Sequence, residues 1–315
     1  MKPLAIGVIG CGALGRHHTR ILSSLPGVRL AGIHDRRREV GEAVAAEFGS
    51  RHFATPEPLL AEVEAVVLAV PTVDHASLGG EILGRGQHLL VEKPIAASLE
   101  EADRLLAARG DRVLAVGHVE FFNPAVQALL DLGTPPRFVE AQRLGVFAPR
   151  SLDVDVVLDL MVHDLQILHA FDPSPVVEVR ATGIAVLSGR VDIANARLAL
   201  ASGAVANLTT SRVSAERTRK LRLFLPSAYY SLDYPEQEIK GYRLVDDGEG
   251  RRIEAADLAV EKAEPLRREL EAFVAACRGE TGRRLVDGAA GRRALATALA
   301  IDQAMAAPVL ESRGS

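Results

Sequence analysis

The spacing of apolar and polar positions along the first 120 residues switches repeatedly between two periods. A continuous apolar run at 4–10, LAIGVIG, is followed by apolar positions at helical spacing over 14–25. The switch recurs: a strand at 28–34 (VRLAGIH), a helix at 36–48, a short strand near His52, and a strongly apolar strand at 65–71 (AVVLAVP). A helix at about 74–85 precedes a strand at 88–94 (HLLVEKP). Ser98, with Glu101 three residues on, is a capping box for the next helix, SLEEADRLLAARG, and RVLAVGH at 112–118 closes the series. Strands that are apolar throughout, alternating with amphipathic helices, predict a parallel sheet buried on both faces: a doubly wound Rossmann α/β domain.

The pattern changes after Asn123-Pro124. A helix at about 124–132 ends in the breaker LGTPP, and from 137 to 245 most runs read as strands: RFVEAQRLGVF, VVEVRATGIAV, DIANARLAL, AVANLTTSRV and KLRLFLP. Ser188-Gly189 and Ser202-Gly203 separate some of them as hairpin turns. One helix interrupts at about 153–171, and two amphipathic helices follow at about 264–278 and 287–306. The last five residues, ESRGS, are expected to fray. The division this implies is 1–122 for dinucleotide binding and 123–315 for a second α/β domain.

Composition narrows the classes without changing this picture. The chain has 315 residues, 48% hydrophobic and 25% charged, which suits two globular domains. A net charge of −4 offers nothing to recruit nucleic acid or an anionic membrane. No apolar run approaches the ~18 residues of a membrane span, and the N-terminal run breaks at glycines, unlike a signal peptide. Cys11 and Cys277 give neither a disulfide framework nor a metal-ligand spacing, so no metal is expected and the cytoplasm is the expected compartment. Basic residues are almost all arginine; the lysines are Lys2, Lys93, Lys220, Lys240 and Lys262. Lysine can release a proton when desolvated and arginine cannot, so a lysine at an interesting position is a candidate for acid–base work.

Gly10-x-Gly12-x-x-Gly15 lies between the first strand and the first helix, with Ala13 and Leu14 inside it. In that setting the first glycine permits the tight turn, the second the approach of a pyrophosphate, and the third close helix–strand packing. Asp35, at the end of the second strand, is placed to accept the adenosine ribose hydroxyls and to repel a 2′-phosphate. That favours NAD over NADP, although Arg36, Arg37 and Arg38 follow directly and an arginine there can take a 2′-phosphate. Cys11 reads as a small buried residue, and His17 and His18 as helix-surface residues.

Together with Glu92-Lys93-Pro94 at the end of the 88–94 strand, Asp159-x-x-x-His163 and the C-terminal EPLRRELEAFVAACRG, this loop makes the chain resemble the glucose–fructose oxidoreductase / inositol dehydrogenase (Gfo/Idh/MocA) family nearly end to end. The resemblance implies a Rossmann domain followed by an α/β domain with a large, mostly antiparallel open sheet. One face of that sheet lines the substrate cleft and the other commonly forms an oligomer interface, so a homo-dimer or homo-tetramer is expected. GHVEFFNPAV and DVDVVLDLMVHDLQIL look like the subgroup acting on UDP-linked N-acetylated amino sugars, which often has arginine where this chain has Phe121.

From the residues, Lys93 sits beyond the carboxyl end of a parallel strand, where ligands of such sheets bind, and Pro94 keeps it extended. Desolvation and a neighbouring nicotinamide cation would lower its pKa, so that it could take or give a hydroxyl proton. Asp159 and His163, four apart on a predicted helix, share one face, and His163 titrates near neutrality. The expected cofactor contacts are Gly10, Gly12, Ala13, Leu14, Gly15, Asp35, Arg36, Pro71, His75, Glu92 and Lys93; the expected substrate contacts are Lys93, Glu120, Asn123, Asp159 and His163. Asp164 and His169 read as helix surface or capping residues. The resulting expectation is an NAD-dependent dehydrogenase of a ring hydroxyl, the 3-hydroxyl of a UDP-N-acetylhexosamine, feeding a transamination in amino-sugar synthesis for lipid A or surface polysaccharide. Arginines such as Arg143, Arg150 and Arg212 would then meet the diphosphate. Two alternatives stay open: a dehydrogenase of a free sugar or inositol, and a non-catalytic dinucleotide-binding sensor.

Overall fold

The computed structural model describes residues 2–147, 155–246 and 250–306. Arg150 and the fraying expected at 311–315 lie outside them. Two compact units emerge: residues 1–122 with 263–295, and residues 123–262 with 296–315.

The first unit holds a five-stranded parallel sheet of order β2-β1-β3-β4-β5. Its strands are β1 (Leu4–Ile9), β2 (Val28–His34), β3 (Ala65–Leu68), β4 (His88–Glu92) and β5 (Leu114–Gly117). The helices between them are α1 (Ala13–Leu22), α2 (Arg38–Glu47), α3 (Pro56–Leu60), α4 (His75–Gly84) and α5 (Leu99–Ala108). β1, β3 and β5 are buried along their whole lengths, which is why their sequences are apolar without alternation. The short strand expected near His52 is reduced to a single parallel bridge to Ile33. The capping box is present in altered form: Ser98 Oγ accepts the Glu101 N–H at 3.2 Å, and the Glu101 carboxylate reaches back to the N–H of Ala97, one residue before the cap.

The second unit contains α6 (Pro124–Leu130) and β6 (Phe138–Leu144), then a π turn at Val157–Met161 that runs into α7 (Val162–Phe171). Seven strands follow: β7 (Val176–Ile184), β8 (Ile193–Leu200), β9 (Val205–Ser211), β10 (Thr218–Phe224), β11 (Ala228–Asp233), β12 (Glu238–Asp246) and β13 (Arg251–Ala255). With β6 they form an eight-stranded sheet of order β13-β12-β11-β10-β6-β9-β8-β7, antiparallel except for the parallel β6–β9 pair. Along β8 and β9 buried and more open positions alternate, as expected of a sheet with one covered face.

The chain ends with α8 (Pro265–Cys277) and α9 (Gly288–Ala306). The expectation that 123–315 forms one domain differs from the observed grouping, because 263–295 packs with the first unit. The reason is apolar burial. Leu270, Phe273 and Val274 of α8 join the core made by Leu4, Ile6, Val8, Ile21 and Leu22. In addition, Val286 O accepts the N–H of Val116 at 2.9 Å along the edge of β5. Among the described residues no helix is long and apolar enough to cross a membrane.

Candidate functional site

β1 ends at Ile9 and the chain turns at Gly10, whose φ of +91° lies in the left-handed region. A Cβ on Gly10 would stand 2.3 Å from the carbonyl oxygen of Ala69, and one on Gly15 would stand 1.8 Å from that of Gly10. Both positions therefore require glycine on geometric grounds. Gly12 is the N-cap of α1, makes no side-chain cap bond, and faces open space where its Cβ would be. Uncapped N–H groups beneath open space fit an incoming pyrophosphate. Ala13 and Leu14 begin the helix, and Leu14 is 44% exposed although apolar.

Asp35 follows β2 and is buried. Its carboxylate accepts the N–H of Cys11 at 2.8 Å and that of Arg37 at 2.8 Å, and the Arg37 Nε lies at 3.3 Å. Burial acts to raise its pKa, but these N–H groups and the Arg37 guanidinium outweigh it and hold the carboxyl below its ordinary range. Asp35 is thus anionic and fixed to the glycine loop itself. Arg38 pairs with Glu42, whereas Arg36 is exposed with no ion-pair partner among the described residues. Burial, and secondarily Asp35, push the Cys11 thiol up to about 12, which agrees with a packing residue and not a redox one.

Glu92 ends β4, and Lys93-Pro94 follows with a cis peptide bond. Lys93 is half-buried. Its own N–H donates to Glu92 Oε2 at 3.3 Å. Its positive charge is felt by His118, which burial chiefly, and Lys93 secondarily, push down to about 3. His118 is therefore neutral across the working range. His75, expected beside the cofactor, is 1% exposed and turned to the backbone: Nδ1 is 3.0 Å from the carbonyl oxygen of Pro94 and Nε2 3.0 Å from that of Val70. It ties the end of β3 to the segment after Lys93. Pro71 is exposed at the start of a 3₁₀ turn, Thr72–Asp74, and Glu120 is half-buried in another, Val119–Phe122. Phe121 packs edge-on against Phe122 in the core, so the departure from the subgroup's arginine is a packing residue.

Behind Glu92 lies a cluster that the sequence reading missed. His18, expected on the helix surface, is fully buried, and its Nε2 is 2.6 Å from Glu92 Oε1. Glu269, on α8, is 1% exposed, and neither of its carboxylate oxygens has a hydrogen-bond partner among the described residues. Burial first, and the charge of Glu92 second, raise its pKa well above the carboxylate range. Its position in the apolar stripe Leu266, Leu270, Phe273 was a legible signal. Glu269 holds its proton to a higher pH in the fold than in the unfolded chain, where it is lost near pH 4–5. Between those two pKa values the folded state binds more protons, so stability falls as pH rises through that window. Glu269→Gln is therefore expected to raise Tm by several degrees at pH 8 and to leave it unchanged at pH 3.5, since each pKa unit is worth about 1.4 kcal/mol. Calorimetric melting at the two pH values checks this; a lower Tm at pH 8 would show that the carboxylate is ionised and held.

In the second unit, Asn123 is the N-cap of α6 and is 2% exposed. Its Oδ1 accepts the Ala125 N–H and its Nδ2 donates to Tyr234 O, each at 3.0 Å. The expectation that it contacts substrate is corrected, because a buried amide with both ends engaged is structural. Asp159 lies within the π turn and His163 in the first turn of α7. The segment between them is π-bonded, i→i+5, and not the regular α-helix that the spacing suggested; in so wide a turn residues four apart still fall close to one face. Asp155 holds that turn, its Oδ1 accepting the N–H groups of Val157 and Leu158 at 2.8 and 3.0 Å. Asp164 and His169 are buried and not on the helix surface: Asp164 pairs with Arg143, and His169 Nε2 is 2.8 Å from Thr297 Oγ1. Arg143 is 3% exposed and its guanidinium is bidentate on Asp164, which corrects its expected role on a diphosphate. Among the described residues no group of three or more His, Cys, Asp or Glu could hold a metal ion.

Residues 4–118 match the model of the Gfo/Idh/MocA family, described as an oxidoreductase family with an NAD-binding Rossmann fold. A UDP-N-acetylglucosamine 3-dehydrogenase from Acidithiobacillus ferrooxidans is 40% identical over 298 residues, covering 90% of this chain and 94% of that protein. A solved structure of an enzyme of that name and organism matches with a TM-score of 0.90 and 38% identity, over 97% of this chain and 99% of that one. A levoglucosan dehydrogenase solved with NADH and L-sorbose shares the fold, with a TM-score of 0.84 and 17% identity over 97% of each chain.

Proposed function

The chain belongs to the Gfo/Idh/MocA family of NAD-binding oxidoreductases, and from that premise we propose that it oxidises the 3-hydroxyl of a UDP-N-acetylhexosamine with NAD. The observation that carries this reading is the 40% identity to a UDP-N-acetylglucosamine 3-dehydrogenase across 90% of the chain, which extends well beyond the dinucleotide-binding region. A bound nicotinamide supplies the hydride acceptor. What remains for the chain is the hydroxyl proton and the grip on the sugar. Lys93 takes the proton, since the neighbouring His118, pushed down to about 3 by burial and by Lys93, is too weak a base to hold it. His163, with Asp159 on the turn before it, serves as the second proton-handling and hydroxyl-binding group. Glu120 is a substrate contact in this reading, and Pro71, His75 and Glu92 shape the cofactor side through the backbone at the ends of β3 and β4. Cytoplasmic location is part of the same reading. So is a homo-oligomer through apolar positions left open on the second unit's sheet, such as Val177 at 65% and Ile253 at 75% exposure. Light scattering reads its mass.

The test is to incubate the protein with NAD and a panel of UDP-sugars, sugar phosphates, free sugars and inositols and to follow reduced cofactor. Turnover of UDP-N-acetylglucosamine, with a 3-keto product by NMR, is the expected result. Turnover confined to free sugars or inositol overturns the substrate; none with any member favours a dinucleotide sensor.

Asp35 sets a separate expectation. An anionic carboxylate anchored to the glycine loop suits a free ribose diol and repels a 2′-phosphate. NAD is expected to bind at least tenfold more tightly than NADP by calorimetry, about 1.4 kcal/mol. Equal or tighter NADP binding would show that Arg36 governs the choice.

A further inference from the structure

We propose that a cavity of about 110 Å³ in the second unit, lined by Arg212, Arg217, Arg219 and Asp159, is the subsite for the diphosphate of the nucleotide-linked sugar. The proposal rests on the substrate reading above and adds where the phosphates bind. Its position follows from the sheet topology. β6 and β9 run parallel and end together at Leu144 and Ser211. β10 lies on the other side of β6, so the β9–β10 connection crosses over the carboxyl end of β6. The crossing is pinned by two backbone bonds: Gly145 N–H to Ser211 O at 2.8 Å, and Ser214 N–H to Gly145 O at 2.9 Å. Arg212 leaves the end of β9 on one side, and Arg217 and Arg219 stand at the start of β10 on the other.

The charges suit an anion. Three guanidinium groups line the cavity against the single carboxylate of Asp159. Arg212 is buried, 3.8 Å from Asp192, a carboxylate that already accepts the N–H groups of Val186, Leu187 and Ser188. Arg217 is exposed and has no ion-pair partner among the described residues. Planar guanidinium forks match phosphate oxygens bidentately, and even with Asp192 counted against Arg212 the site stays net positive toward a diphosphate's two or so negative charges. Asp159 supplies the link to the chemistry. In a sugar 1-diphosphate, one pyranose ring separates the phosphate from the ring hydroxyls, so an anion subsite must open onto the hydroxyl-binding residues. Here the arginines and Asp159 line one cavity. Arg143, which the sequence alone suggested for this role, is tied to Asp164 and absent from the lining.

The experiment uses the full chain with NAD present. UDP and N-acetylglucosamine 1-phosphate are titrated by calorimetry against wild type, Arg217→Ala/Arg219→Ala and Arg217→Lys/Arg219→Lys, and KM and kcat for UDP-N-acetylglucosamine are measured for each. The alanine pair is expected to weaken UDP binding at least thirtyfold and to raise KM far more than it lowers kcat. The lysine pair should recover part of the loss, and the UDP affinity of wild type should fall as salt rises. Unchanged KM and UDP affinity in the alanine pair, with wild type still turning over UDP-N-acetylglucosamine, would overturn the subsite and leave the substrate reading standing. A wild type that binds the monophosphate as tightly as UDP would overturn the diphosphate assignment. Absence of UDP binding at millimolar concentration, together with turnover of a free sugar or inositol, would overturn both.

Discussion

Lys93→Arg is expected to lose about a thousandfold or more in kcat while the Kd for NAD stays within a few-fold of wild type. Arginine preserves the positive charge next to the cofactor loop but cannot give up its proton at any working pH. The surroundings of Lys93 leave little else to carry that proton. His118 is too weak a base, because burial and the charge of Lys93 push it down to about 3. His75 has both ring nitrogens against backbone carbonyl oxygens. Glu92 has one carboxylate oxygen against His18 and the other against the Lys93 N–H. Lys93→Ala should be as slow as Lys93→Arg, since both remove the group that accepts and releases the proton. Steady-state kinetics with the best substrate of the panel, paired with a fluorescence titration of reduced cofactor, makes the comparison. More than a tenth of wild-type kcat in Lys93→Arg would mean that Lys93 acts through its charge and that the proton goes elsewhere.

Arg143→Met is expected to cost about 3–5 kcal/mol of stability. The Arg143 Nη2 is 2.8 Å and its Nε 3.0 Å from the two oxygens of Asp164, and both side chains are 4% exposed. The guanidinium also lies over the ring of Tyr234, 5.0 Å from its centroid. Removing the arginine strands the Asp164 carboxylate in the interior, and that stranded charge accounts for most of the loss. Arg143→Met with Asp164→Leu should therefore recover much of the stability lost by either change alone, because an apolar pair carries no such penalty. Urea unfolding of the single and double variants gives the coupling. A loss under 1 kcal/mol in Arg143→Met, accompanied by weakened UDP binding, would return Arg143 to a substrate-binding role.

These two residues show how unevenly the site was legible. Lys93 stands out as a candidate without a structure because its signals are local: a lysine in a chain poor in lysine, at the end of an apolar strand, before a proline. Arg143 was misassigned because its partner lies 21 residues away on another element. Nothing in the local pattern distinguishes a buried, paired arginine from one facing a ligand. Asn123 misled for the same reason, since its amide is spent on its own helix cap and on Tyr234, 111 residues on. The Asp159–His163 spacing predicts an ordinary α-helical turn, and the π bonding found there has no sequence period of its own.

The sequence by itself determined the parallel sheet, the glycine loop and Asp35. Strand and helix periods and tight-turn glycines are imposed by backbone geometry over a few residues, so they can be read directly from the chain. Only the tertiary structure decided that 263–295 packs with the first unit, that His18 and Glu269 stand behind Glu92, and that Arg212, Arg217 and Arg219 converge on one cavity with Asp159. Each of these depends on which apolar faces meet and on the register in which strands pair. Burial free energy is roughly proportional to area and blind to direction, so it drives such meetings without announcing in any short window of sequence which partners they will be.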